Sequence, residues 1–180
     1  MSKFVILDRD GVINEDSDAY IKSPEEWIPV PGSLEAIALL TRRGYGVAVL
    51  TNQSGIARGL FDLAMLDAIH RKMRAAVESA GGRIEEIFFC PHGPEDGCGC
   101  RKPAPGLFRA FAEKYKADLK AVPAVGDSFR DIQAARAAGA QPILVETGKG
   151  MRTLARYPDL DIPIFPDLYA AAQYILFNAD

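Results

Sequence analysis

Residues 4–14 read FVILDRDGVIN. Phe4 to Leu7 is a near-continuous apolar run that stops at Asp8. A strand exposed on one face alternates apolar and polar residues, so an unbroken apolar run reads as a buried strand of a parallel sheet. Asp8 and Asp10, on either side of Arg9, then stand just beyond its carboxyl end. In open parallel sheets that end is where ligands bind.

Two further stretches repeat the pattern. Tyr45 to Leu50 ends in Thr51-Asn52-Gln53, and Val122 to Val125 leads into Gly126-Asp127-Ser128. Ile84–Phe89, Pro142–Val145 and Ile162–Phe165 read as additional strands. Helical spacing fills the intervals. Ser33–Arg43 is closed by Gly44, and Ser128–Ala138 by Gly139. In Asp62–Ala80, Leu63, Leu66, Ile69, Met73 and Val77 recur at steps of three and four, behind Asp62 as N-cap. Gly106–Lys116 and Leu168–Phe177 complete the helices, and Gly148–Pro158 reads as a surface loop with a short helix. Strands alternating with helices predict an α/β fold, a doubly wound parallel sheet covered on both faces. At 180 residues, one domain spanning 1–180 is expected.

The net charge of −3 gives no basic footprint for nucleic acid. No apolar run approaches the roughly 20 residues that span a bilayer. The amino terminus enters its first strand without a separate basic region or cleavage site, so no signal peptide is read and a cytoplasmic location is expected. Neither a nucleic-acid nor a membrane partner is expected, and the protein is expected to be a monomer.

The chemistry gathers at the strand ends. Neighbouring parallel strands would bring Asp8, Asp10 and Asp127 together. Clustered carboxylates repel unless a cation intervenes, and Mg²⁺ suits oxygen ligands shared with a phosphate. Asp8 could then attack phosphorus while Asp10 protonates the leaving oxygen and later deprotonates water. Thr51 and Lys102 could hold the charge of the transferring group.

These stretches resemble the motifs of the haloacid dehalogenase-like phosphatases. DRDGV at 8–12 is similar to the first, LTNQSG at 50–55 to the second, RKPAPG at 101–106 to the third, and GDSFRDIQAARAAG at 126–139 to the fourth. The resemblance implies a Rossmann-like haloacid dehalogenase fold with Asp8 as nucleophile and Asp10 as general acid/base. Thr51 and Lys102 would bind the phosphoryl group. Asp8, Asp127 and the backbone of Asp10 would ligate Mg²⁺, with Asp131 supporting the site from behind. Residues 12–50 and 54–100 leave no room for a cap domain, so an open, shallow site is expected.

All three cysteines and one of the two histidines fall within Cys90-Pro-His92-Gly-Pro-Glu-Asp-Gly-Cys98-Gly-Cys100. Three thiolates and an imidazole suit tetrahedral Zn²⁺ in a closed, structural zinc-binding loop. Free buried cysteines, or one disulfide from Cys90 to Cys98 or Cys100, are the alternatives. The loop runs directly into Arg101-Lys102 and would fix both.

This narrower pattern resembles the capless, zinc-containing branch that includes the heptose-bisphosphate and histidinol-phosphate phosphatases, with the short loop closer to the former. The branch implies a small sugar bisphosphate as substrate. Arg9, Asn14, Asp16, Tyr20, Asn52, Gln53, Ser54, Arg101 and Lys102 would lie around it, with Arg101 at the distal phosphate or sugar end. Ser128 stands where some heptose enzymes carry lysine, and Lys149 could compensate. Arg58 is equally suited to substrate or solvent. His70 is expected at the surface of its helix, and Trp27 at the edge of the core. A nucleic-acid-end phosphatase or an inactive binding homologue would share parts of the pattern. The intact acids speak against the second, and the acidic balance against the first.

Overall fold

The computed structural model describes residues 3–179. Its strands are β1 (Lys3–Leu7), β2 (Tyr45–Asn52), β3 (Glu86–Cys90), β4 (Pro123–Gly126), β5 (Gln141–Val145) and β6 (Ile164–Phe165). They form one parallel sheet in the order β3-β2-β1-β4-β5-β6. The chain builds outward from β1 to β3 on one side, then crosses to β4 on the other side of β1. That reversal makes a switch point between β1 and β4, where an open sheet leaves a crevice.

The helices are α1 (Ser33–Arg42), α2 (Leu63–Ser79), α3 (Gly106–Tyr115), α4 (Phe129–Ala138), α5 (Gly150–Arg156) and α6 (Leu168–Phe177). Strand pleating sends successive side chains to opposite faces. Val5, Leu7, Val47 and Val49 pack with Ile37 and Leu40 of α1, Ile69 and Met73 of α2, and Leu168 and Ile175 of α6. Ile6, Ala48 and Leu50 pack on the other face with Phe108 and Phe111 of α3 and Ala134 and Ala135 of α4. An apolar strand without alternation is thus what a sheet covered on both faces requires.

Strand and helix bounds differ from the sequence reading by one or two residues at most ends. Ser128 proves to be the cap of α4 rather than its first residue. Asp62 caps α2, accepting from Met65 N at 2.8 Å. Trp27 is deeper than expected: it is 1% exposed and belongs to the core rather than its edge. Between β1 and α1 the described chain forms loops joined by two isolated bridges, Asp10 with Asn14 and Asn14 with Pro29, and a short 3-10 turn (Pro24–Glu26), with no inserted helical or sheet layer. No helix among the described residues is long and apolar enough to cross a membrane.

Candidate active site

Register fixes the site. Leu7 pairs with Val49 on one side and Val125 on the other, so Asp8, directly after β1, and Asp127, directly after β4, emerge at the same edge of the sheet. Asp8 N donates to Val125 O at 2.9 Å. One ligand oxygen from each of Asp8, Asp127 and Asp131 falls within 4.8 Å of the others. Gly11, at φ +84°, makes this approach possible, because a Cβ there would run into the Asp127 carboxylate.

Lys102 is the cation in this cluster. It is 3% exposed, and its Nζ reaches Asp131 Oδ1 at 2.7 Å, Asp8 Oδ1 at 3.1 Å and Leu50 O at 2.8 Å. An ammonium has three protons to give, and each has an acceptor. Asn52 holds the lysine's backbone from both sides: its Nδ2 donates to Lys102 O at 3.1 Å and its Oδ1 accepts from Lys102 N at 3.0 Å.

One ammonium does not satisfy three carboxylates. Burial, then the charges of Asp131 and Asp10, push the Asp8 carboxyl up to about 7 against the pull of Lys102. Burial, with Asp131 and Asp8, raises Asp127 well above its ordinary value. Asp131 moves the other way: Lys102 and the donors of Ser128 outweigh its burial. Its Oδ2 accepts from Ser128 N (3.0 Å), Ser128 Oγ (2.8 Å) and Asp127 N (3.2 Å), which ties the start of α4 to β4. Two carboxyls kept short of positive charge are what a hard divalent cation would relieve, so these residues fit Mg²⁺.

Asp10 is in a different state. Its side chain adds no ligand to that cluster. Burial would raise its carboxyl, but the Arg9 charge and bonds from Asn14, Arg9 and Gln53 hold it below the usual range.

These acids share a cleft of about 340 Å³ with Asp16, Tyr20, Asn52, Gln53, Ser54, Arg101 and Lys102. Three expected contacts do not line it. Arg9 is 0% exposed, with its guanidinium spent on Asp10 and His70. Asn14, also fully buried, donates to Asp10 Oδ1 and to Glu15 O. Thr51 lies beneath the cleft, where its Oγ1 accepts from Gln53 Nε2 at 2.9 Å. Each side chain has partners within the protein, which is what makes burial tolerable, although Asn14 Oδ1 is buried with no partner among the described residues. His70 is likewise buried rather than at the surface.

Arg58, left open by the sequence, lines the cleft with its guanidinium 5.7 Å over the Tyr20 ring. Lys149 lines it too, 3.3 Å from Asp16 Oδ2, and its backbone N donates to Asp127 Oδ2 at 2.8 Å. Arg130 was missed. It stands in the first turn of α4, which faces the carboxyl end of the sheet, and that position was the available signal.

Cys90 ends β3 opposite Asn52. Beyond it, Cys90 Sγ lies 3.6 Å from Cys98 Sγ and 3.0 Å from Cys100 Sγ, and His92 Nδ1 lies 3.4 Å and 3.3 Å from the sulfurs of Cys90 and Cys100. The cysteines are free. Ligands at ~2.0–2.3 Å from a tetrahedral zinc stand roughly 3.3–3.8 Å apart. Three of these separations fall in that range, the Cys90–Cys100 pair is closer, and all four ligand atoms lie within 4.8 Å of one another, a set that fits Zn²⁺.

A parallel sheet with its crevice between β1 and β4, two acids flanking Arg9 and a buried lysine at a third acid define a phosphatase of the haloacid dehalogenase-like class. Residues 99–171 match the HAD-hydrolase-like family model. The D-glycero-β-D-manno-heptose-1,7-bisphosphate 7-phosphatase of Bordetella bronchiseptica is 56% identical over 98% of this chain and 99% of its own. The enzyme of the same name from Pseudomonas putida is 57% identical over 97% of this chain and 99% of its own. The crystal structure of the B. bronchiseptica D,D-heptose 1,7-bisphosphate phosphatase, complexed with magnesium and phosphate, superposes with a TM-score of 0.95 over 98% of this chain and 99% of that one. The chain belongs to the family of D-glycero-β-D-manno-heptose-1,7-bisphosphate 7-phosphatases.

Proposed function

We propose that the protein removes the C7 phosphate of D-glycero-β-D-manno-heptose 1,7-bisphosphate, a step toward nucleotide-activated heptose for lipopolysaccharide. The observation that carries this reading is a cleft with two kinds of charge. Asp8, Asp10 and Lys102 supply phosphoryl-transfer chemistry. Arg58, Arg101 and Arg130 line the same cleft with no carboxylate partner among the described residues. Burial and the neighbouring Arg130 and Arg58 lower the Arg101 pKa, so an anion would be welcome there. A second phosphate on the substrate meets that need.

Asp8 attacks phosphorus and the bond to the sugar oxygen breaks, leaving an aspartyl-phosphate. Asp10 gives its proton to the departing alkoxide. It then takes one from the water that attacks phosphorus, releasing inorganic phosphate and restoring Asp8. Lys102 balances charge on Asp8 and the phosphoryl oxygens. Asp8 and Asp127, with the backbone of Asp10, would hold Mg²⁺, which supplies charge neutralisation to the phosphoryl oxygens. Like charge from the arriving phosphate opposes the depression of the Asp10 carboxyl and favours its protonated form.

The test is phosphate release with Mg²⁺ from both anomers of the heptose bisphosphate and from histidinol phosphate. Preference for the β anomer by about a hundredfold in kcat/KM is expected, about 2.7 kcal/mol of transition-state discrimination. Equal or better turnover of histidinol phosphate would overturn the substrate assignment and leave the chemistry.

Zn²⁺ in the Cys90, His92, Cys98, Cys100 loop is structural in this reading, since four protein ligands leave no open position. Burial opposes it, but backbone N–H groups of Arg101 and Cys100 and the adjacent thiols lower the Cys98 thiol to about 6, readying a thiolate for the metal. Cys98→Ser is expected to cost one equivalent of zinc by elemental analysis and to lower Tm by roughly 10 °C, a few kcal/mol. Unchanged zinc content would remove the assignment. Free thiols suit a reducing, cytoplasmic setting.

A further inference from the structure

Asp10 can act as an acid only if its proton sits on the oxygen that meets the leaving group. Its two oxygens are treated very differently. Oδ1 accepts from Arg9 Nε at 3.0 Å, Arg9 Nη2 at 2.8 Å and Asn14 Nδ2 at 3.0 Å. Among the described residues, Oδ2 accepts only from Gln53 Nε2, at 3.1 Å. Three donors crowd Oδ1, so a proton arriving on this carboxyl goes to Oδ2.

That asymmetry depends on where Arg9 points. Its remaining nitrogen, Nη1, lies 3.1 Å from His70 Nε2. A guanidinium only donates, so Nε2 accepts and the imidazole proton sits on Nδ1. Burial, then the Arg9 charge, push His70 down to about 3, consistent with a neutral ring. His70 comes from α2, a helix with no side chain in the cleft. Its ring meets Phe89 edge-on, with centroids 6.4 Å apart, so it is held from the strand side as well.

We propose that His70 is a positioning residue for the general acid Asp10, acting through Arg9. The chain His70–Arg9–Asp10 stops the carboxylate from rotating and commits Oδ2 to proton transfer. As Asp8 attacks phosphorus and the ester bond breaks, the proton on Oδ2 passes to the departing oxygen. His70 itself neither gains nor loses a proton in the step.

The inference rests on Asp8 and Asp10 acting as nucleophile and acid, and the leaving group separates the two ideas. A sugar alkoxide needs a proton to depart, whereas 4-nitrophenolate does not. kcat/KM reports the chemistry up to the first irreversible step, the transfer to Asp8. For His70→Leu, kcat/KM on the heptose bisphosphate is expected to fall at least ~20-fold, against no more than ~3-fold on 4-nitrophenyl phosphate. His70→Gln, whose Oε1 can accept from Arg9, is expected to recover the sugar substrate to within ~3-fold of wild type. His70→Asn, polar but too short to reach Nη1, replaces leucine if that variant does not fold, and is expected to behave like it.

Equal losses on both substrates would overturn the positioning role and leave His70 structural, as would no loss on either. Absence of wild-type turnover on both would instead overturn the underlying assignment of Asp8 and Asp10, and the inference with it.

Discussion

Asp8→Asn is expected to cut phosphate release by at least about 10⁴-fold while the fold persists. The amide cannot form the acyl phosphate, and the neighbouring Asp10 carboxylate is held by Arg9, Asn14 and Gln53. The substitution should also change how stability responds to pH. In the metal-free protein the Asp8 carboxyl titrates at about 7, against an ordinary value of 3.8, because of burial and then the Asp131 charge. The folded state therefore holds the extra proton between those values. Its stabilisation is fully present below the ordinary value and is lost as pH rises through about 7.

Asparagine carries no such loss. The Tm of Asp8→Asn relative to wild type, in the presence of a chelator, should accordingly be more favourable at about pH 8 than at about pH 5. Saturating Mg²⁺ should rescue the wild type most at the higher pH, where the carboxylates are free to bind it. Activity within tenfold of wild type would remove Asp8 as nucleophile. A Tm difference that ignores pH would remove the electrostatic account of the cluster.

Lys102→Met is expected to be nearly as damaging, by two routes. Catalysis should fall about 10²–10³-fold, because the group that balances charge on Asp8 and the phosphoryl oxygens is gone. Stability should fall by about 3–5 kcal/mol near neutral pH, the cost of leaving buried partners unpaired. Asp131 feels this most. It is held ionised chiefly by the Lys102 charge, with Nζ at 2.7 Å. Methionine fills a similar volume, so the loss reports charge rather than a cavity. Added Mg²⁺ should raise the Tm of the variant more than that of wild type. Denaturant unfolding and initial rates test both parts, and a variant matching wild type in either would sink that part.

Much of this site was readable along the chain. Asp8 and Asp127 follow short apolar runs, and in a parallel sheet the end of such a run is a fixed place. Lys102 follows the cysteine loop that carries it to the cleft. What linear reading missed concerns depth. Arg9, Asn14 and Thr51 sit within motifs that meet substrate, and sequence position alone places them there. The structure shows them buried because each finds an internal partner, and those partners lie as far off as residue 70. His70 was legible in principle: with Leu66, Ile69, Met73 and Val77 it lies on the buried stripe of α2. Its polarity argued for the surface, and only Arg9, brought from β1, makes burial tolerable.

The sequence by itself determined the order of strands and helices, the acids at the strand ends, and the Cys/His loop leading into Arg101-Lys102. These follow from local periodicity and from short spacing along one chain. The tertiary structure alone decided which oxygen of Asp10 meets fewer donors, that Asn52 holds Lys102, and that Arg58, Arg101 and Arg130 share one cleft. Those outcomes rest on hydrogen bonds and charges between segments far apart in sequence, and such pairings exist only once the sheet has set its register.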